Sequence, residues 1–320
     1  MPKEILLDEV TPGAHSCMVK INVFACGGIA IGVVAQHKFF DGSNLFIFVK
    51  TWAGMTAGGG RAHTYQSPDF SASIIFPQNN GFPQDLTSAS LSSVFVRKGK
   101  PATSRFVFDG HIISKLKTQA TNYGIQNPTR KVKSGAPKSV VITNAVNLRP
   151  RASPPFTSAS VGNFVLLVSM ITKVEETDLG SFVHQTREAL SRIDGDLVKS
   201  LQGDQGLGNL CGYMKRFREL NSKAKSDGAE SISFNSGCNM GQYDVDYGWG
   251  KPLWVPFLGM VRSYPIFFIQ LMDTRRGKGI EAWLMLDEPV ISMLEHDKLL
   301  LSTASLDPSP LQIGSLKSSL

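Results

Sequence analysis

Residues 37–41 read His-Lys-Phe-Phe-Asp. Histidine ordinarily titrates near neutrality, so His37 can take the proton of a bound hydroxyl while that oxygen attacks an acyl carbon. An aspartate four residues later, Asp41, would fix the turn or the surroundings of the ring. The spacing alone is weak evidence, because the chain has 6 histidines among 26 acidic residues. His184 and Glu188 repeat the pattern inside an amphipathic stretch, where a solvated helix histidine is the simpler reading. For His37 the competing reading is a satisfied buried histidine.

The elements around His37 bear on that choice. Alternate residues of 18–24 are apolar, and after the Ala25-Cys26-Gly27-Gly28 break Ile29, Ile31, Val33 and Ala35 share one face. His37 has the same parity, which predicts that it stands on the apolar face where a core opens into a cleft. A helix is expected over 42–55, with Ser43 or Asn44 as its N-cap. Residues 63–104, rich in Ser, Pro and Asn, read as an irregular segment walling a pocket. Further on the pattern predicts strands at 104–110, 139–148 and 161–172, and a helix over 179–201 with Phe182, Leu190, Ile193, Leu197 and Leu201 on one face. A hairpin is expected over 264–287 and a closing helix over 289–301.

A second motif follows at Asp246-Tyr247-Gly248-Trp249-Gly250-Lys251-Pro252. Its glycines let backbone pass close to another element, and Asp246 reads as a carboxylate tied into an ion pair. A purely structural loop is the simpler reading. No Gly-rich dinucleotide or P-loop pattern, serine-hydrolase elbow or zinc-protease motif occurs, so those chemistries lack support.

Composition narrows the class further. With 320 residues, 42% hydrophobic and 18% charged, the chain has room for two domains sharing a cleft. The four cysteines, Cys17, Cys26, Cys211 and Cys238, show neither disulfide nor metal-ligand spacing. No apolar run reaches the roughly 18 residues of a membrane span, and the start lacks the pattern of a signal peptide, so a cytoplasmic protein is expected. The net charge of +7 is spread out. Its densest stretch, 129–138, is a solvated loop or a local phosphate site; nucleic acid and membrane are not the expected partners.

His37 to Gly42, preceded by Ile-Asn-Val-Phe-Ala-Cys-Gly-Gly, together with Asp246 to Pro252, resembles the plant BAHD acyl-CoA-dependent acyltransferases. Matching stretches at 68–77, 127–130, 145–151, 162–163 and 273–287 extend the likeness over nearly the whole chain, closest to the alkaloid-acetylating branch that includes vinorine synthase. The resemblance implies an α/β fold of two chloramphenicol-acetyltransferase-like domains with mixed sheets and a channel between them. They would comprise a partial first domain over 1–143, a connector over 144–160 and a second domain over 161–320. It implies acyl-CoA as co-substrate with no bound cofactor or metal, and a small acceptor, a hydroxyl or amine of a plant specialised metabolite such as an alkaloid. A monomer is expected.

In that frame His37 is the general base of a direct transfer without an acyl-enzyme. Asp41 turns away to pair with an arginine, Arg149. Asp246, Tyr247, Gly248, Trp249 and Gly250 lie off the catalytic centre, closing the CoA side. Trp249 and nearby backbone N–H groups are the expected oxyanion donors, and Arg130, Lys131, Lys133 and Lys138 would attract the CoA phosphates.

The sequence also departs from the family. A long segment before the first strand and an apolar helix after Arg130 are missing, which should expose apolar surface. Gly237 stands where tryptophan is common, and Tyr247 where phenylalanine is usual. The alternative expectation is therefore an inactive CoA-binding or ligand-binding remnant, or an incomplete gene product.

Overall fold

The computed structural model describes residues 15–37, 39–58, 67–77, 81, 83–96, 98–121, 139–173, 178–257 and 267–310. Strand β1 (Cys17–Val23) pairs antiparallel with β2 (Ile29–Ala35), with Ile21 opposite Ile31. Gly27 makes the connecting turn at a φ of 81°, a conformation that favours glycine. This register puts Val19, Ile21 and Val23 on one face with Ile29, Ile31 and Val33. Ile31 packs against the following helix, while Val19, Ile21, Val23 and Ile29 are exposed. Apolar exposure was expected where a helix is missing after Arg130. The residues there lie outside those described, and the exposed face observed here is that of the hairpin.

Helix α1 (Gly42–Thr56) starts on Asp41, whose side chain accepts from Asn44 N. This corrects the expected cap at Ser43 or Asn44. Asp41 has the extended backbone of an N-cap, φ −83° and ψ 175°, and so reaches the orphan donors of the first turn. The segment read as irregular contains α2 (Ala72–Ile75) and α3 (Gln84–Phe95). Leu86, Ser90 and Val94 of α3 recur every fourth residue and are buried. Ser90 donates its hydroxyl to Leu86 O, which lets a serine sit in that face. The helix packs on α7 (Gly203–Ser226), an element the sequence reading left unassigned.

Among the described residues seven strands form one mixed sheet in the order β5-β4-β6-β7-β8-β3-β9. They are β3 (Pro101–Phe108), β4 (Ser139–Asn147), β5 (Val165–Lys173), β6 (Glu230–Ser236), β7 (Phe268–Asp273), β8 (Ile280–Asp287) and β9 (Ser305–Leu306). β6 runs parallel to both β4 and β7, and the other pairs are antiparallel. Thus β3, from the first part of the chain, joins the same sheet as β7 and β8. Helix α4 (Gly110–Thr121) follows β3.

The helix expected over 179–201 is two, α5 (Leu179–Ser191) and α6 (Gly195–Ser200), because Asp194 recaps the chain by accepting from Leu197 N. The closing helix likewise divides into α8 (Glu288–Glu295) and α9 (Lys298–Leu301), with Asp297 capping the second.

Among the described residues two apolar clusters lie along one face of the sheet and meet at Ile232 and Phe234. One joins Phe164, Leu166, Val168 and Met170 to Ala189, Ile193, Val198 and Leu201; the other joins Phe106, Ile269, Leu284 and Leu286 to Ile291. Across β3 and β8 a buried pair, Arg105 Nη1 to Glu281 Oε2 at 3.2 Å, lies beside Trp254 and Trp283. Burial raises the Glu281 pKa and the arginine opposes that shift.

Gly237 leaves no gap of the kind its sequence position suggests. A Cβ there would lie 2.8 Å from Met272 Sδ and 3.2 Å from Gln270 Nε2, so those side chains already occupy the space. Among the described residues no helix is long and apolar enough to cross a membrane, and no cluster of three or more His, Cys, Asp or Glu is arranged to hold a metal.

Candidate active site

Strand β2 ends at Ala35, and the chain turns at once. Phe39 N and Phe40 N donate to Gln36 O at 3.0 and 3.3 Å, and Gln36 N ties back to Ser16 O at 2.8 Å. His37 is exposed in this turn. Strand parity therefore does not set its direction, contrary to the sequence expectation, because the alternation stops two residues before it. What holds it is the turn, and Asn163 Nδ2, which donates to the His37 carbonyl.

Asp41 is 2% exposed and fully engaged. Its Oδ1 accepts from Asn44 N at 2.9 Å; its Oδ2 accepts from Phe164 N at 3.1 Å and Arg149 Nη1 at 2.6 Å. Arg149 is buried as well, in the short 3-10 turn after β4. Its Nη2 donates to Asn44 Oδ1 at 2.8 Å and to the carbonyls of Ser160 and Gly162, both at 3.0 Å. The guanidinium also lies 4.6 Å from the centre of the Phe164 ring. Its donors are thus met inside the protein, the condition for a buried cation to be tolerated.

Asn44 completes the group. Its Nδ2 donates to Ser160 O at 3.0 Å, and its Oδ1 also accepts from Gly162 N at 2.9 Å. Ser160 Oγ donates to Asp69 Oδ2 at 2.8 Å, and the backbones of residues 69 and 160 form a parallel bridge. Hydrogen bonds from Ser71 and Ser160 hold the Asp69 carboxyl below its ordinary pKa. Together these bonds clamp the start of α1 onto residues 147–164.

The second motif makes a different contact. Asp246 Oδ1 accepts from Gly248 N at 2.8 Å and Gly250 N at 3.0 Å, folding the loop on itself. Gly248 has a φ of 100°, and a Cβ there would lie 3.2 Å from Ala57 Cα, so this backbone rests directly on the C-terminal end of α1. Lys251 meets Asp244 at 3.0 Å in an exposed pair.

A line of rings connects this loop with the histidine turn. Phe40 lies 5.8 Å from Phe48, Phe48 6.5 Å from Trp52, Trp52 5.0 Å from Tyr247 and Tyr247 5.5 Å from Trp249. The loop touches α1 at Ala57, about 24 Å of helix rise from Asp41 at about 1.5 Å per residue. Trp249 is therefore at the far end of α1 from the His37 turn. This removes it as the oxyanion donor expected from the sequence. Its exposed indole instead covers Tyr247.

Tyr247 is buried, burial raises its pKa, and its hydroxyl has no hydrogen-bond partner among the described residues. Tyr247→Phe is expected to stabilise the protein by about 1 kcal/mol, because it removes an unsatisfied polar group and keeps the ring contacts. Thermal denaturation of the two proteins checks this; a lower midpoint for the variant would contradict it.

Thus His37, Asp41 and Arg149 lie in one assembly, whereas Asp246, Tyr247, Gly248, Trp249 and Gly250 form another at the opposite end of α1. Arg130, Lys131, Lys133 and Lys138 lie outside the described residues. The sequence reading assigned no role to Ser160, Phe164 or Asp69, and took Asn44 only as an alternative cap. Asn163 was visible only as part of the matching Gly162-Asn163 stretch.

Comparison with known proteins bears on the family. The profile described as "Transferase family" matches residues 10–301. The chain is 39% identical to limonoid 7-O-acetyltransferase of Citrus sinensis, over 95% of this chain and 70% of that one. It is 31% identical to stemmadenine O-acetyltransferase of Catharanthus roseus, over 88% and 64%. The crystal structure of vinorine synthase superposes with a TM-score of 0.65 at 29% identity, covering 91% of this chain and 66% of that one. The chain thus spans about two thirds of the length of these relatives. It belongs to the BAHD family of acyl-CoA-dependent acyltransferases.

Proposed function

We propose that this chain transfers an acetyl group from acetyl-CoA to a hydroxyl on a polycyclic plant metabolite, with His37 as general base. The observation that carries the reading is the contrast within the motif. Asp41 is buried with both oxygens occupied, whereas His37 is exposed in the adjoining turn. A substrate can reach the histidine; the aspartate serves the scaffold.

An aliphatic alcohol is far too weak an acid to ionise near neutrality, so His37 takes its proton as the oxygen attacks the thioester carbonyl. The tetrahedral adduct expels CoA as a thiolate, a better leaving group than an alkoxide, and the thiolate recovers the proton from the imidazolium. The oxygen–acyl bond forms on attack and the sulfur–acyl bond breaks when the adduct collapses, and no acyl-enzyme is needed. Relatives named for acetylating limonoid and stemmadenine oxygens support a bulky polycyclic alcohol as acceptor. The working picture is a cytoplasmic monomer in which Arg130, Lys131, Lys133 and Lys138 attract the CoA phosphates.

A second reading, a CoA-binding remnant without turnover, is favoured by one observation, the exposed apolar face of the β1–β2 hairpin. Incubation of the purified chain with acetyl-CoA and a panel of hydroxylated limonoids and alkaloids separates the two. Acetylated product by mass spectrometry supports the enzyme; CoA binding by calorimetry without product on any acceptor supports the remnant.

A further inference from the structure

We infer that Asn163 is a positioning residue: its side-chain amide holds the backbone carbonyl of His37, and so sets how the histidine faces the reacting hydroxyl. The inference rests on the proposed role of His37. Phe39 N and Phe40 N both donate to Gln36 O, closing the turn that carries His37. Its carbonyl, that of His37, lies between β2 and α1, outside both hydrogen-bond ladders. Asn163 Nδ2 reaches it from 126 positions along the chain.

The donor is aimed by fixed neighbours on both sides. Gly162 N donates to Asn44 Oδ1, Gly162 O accepts from Arg149 Nη2, and Phe164 N donates to Asp41 Oδ2. Asn163 therefore projects from a backbone pinned at each end to the buried Asp41–Arg149–Asn44 group. Gly162 has a φ of 146°, and a Cβ there would press to 3.2 Å from the Phe164 ring, so this path favours glycine. The buried group thus acts on the histidine through an exposed amide. Release of the His37 carbonyl would let the imidazole shift relative to the acceptor, and a misplacement of about 1 Å lowers rates on the order of 100-fold.

Asn163→Asp keeps the shape and replaces the donor by an oxygen that repels the carbonyl. With an aliphatic alcohol acceptor, kcat is expected to fall on the order of 10- to 100-fold while KM for acetyl-CoA and the melting temperature stay unchanged. The loss should shrink with a more acidic phenolic acceptor, which needs less help from a base. No loss, or an equal loss with both acceptors, overturns the inference. Were the wild-type chain to turn over no acceptor, the functional reading would fail by itself. The lock is then read from hydrogen exchange over 36–44, which Asn163→Asp should accelerate; unchanged exchange overturns it.

Discussion

Arg149→Met is expected to destabilise the protein by about 3–5 kcal/mol, the range for breaking a buried ion pair from one side. The substitution leaves the Asp41 carboxylate, 2% exposed, with only the backbone donors of Asn44 and Phe164. It also strips a donor from Asn44 Oδ1 and from the carbonyls of Ser160 and Gly162. Asn44 Oδ1 keeps Gly162 N and Ser160 O keeps Asn44 Nδ2, so the main penalty is the Asp41 charge left buried without its cation. The guanidinium contact with Phe164 disappears too, although the methionine stem fills part of the volume.

Thermal denaturation reads the effect as a fall in midpoint on the order of 10 °C. Adding Asp41→Asn should recover part of it, since asparagine can still cap α1 and carries no charge to strand. The exposed pair Lys251–Asp244 is the internal control, because such pairs contribute about 0–1 kcal/mol. A shift for Arg149→Met no larger than that for Lys251→Met would contradict the role given to the clamp.

The second large effect concerns chemistry. His37→Ala is expected to lower kcat on the order of 100- to 10,000-fold, the range for losing a positioned general base. The residue is exposed and lies in a turn outside the sheet and helices, so the fold should not change. CoA affinity should hold as well, because the base acts on the acceptor hydroxyl. Loss of turnover with retained CoA binding and an unchanged melting point is therefore the expected pattern. Loss of all three would mean that His37 serves the structure.

The sequence made some of this legible and hid the rest for physical reasons. The β1–β2 and β7–β8 hairpins show in alternation and turn residues, which are local properties. Helix α3 does not, because a serine, Ser90, occupies its buried face and satisfies itself on its own helix. Parity misplaced His37, since alternation carries no information once a turn begins after Ala35. Asn44 was considered as a cap; the cap is Asp41, and Asn44 is instead a bridge to Ser160, 116 positions away. No local pattern encodes such a partner. The Asp41–Arg149 pairing was implied by resemblance, whereas the geometry adds what surrounds it. Trp249 shows the converse: a motif residue readily assigned to chemistry sits at the other end of α1, packed on Tyr247.

The most direct test is product formation from acetyl-CoA and a polycyclic alcohol, measured in parallel for the wild-type chain and His37→Ala, with both proteins shown to be folded and to bind CoA. Acetylated product from the wild type, with turnover reduced at least about 100-fold in the variant, is the predicted result. Equal turnover by the two proteins would contradict the assignment of His37 as the base.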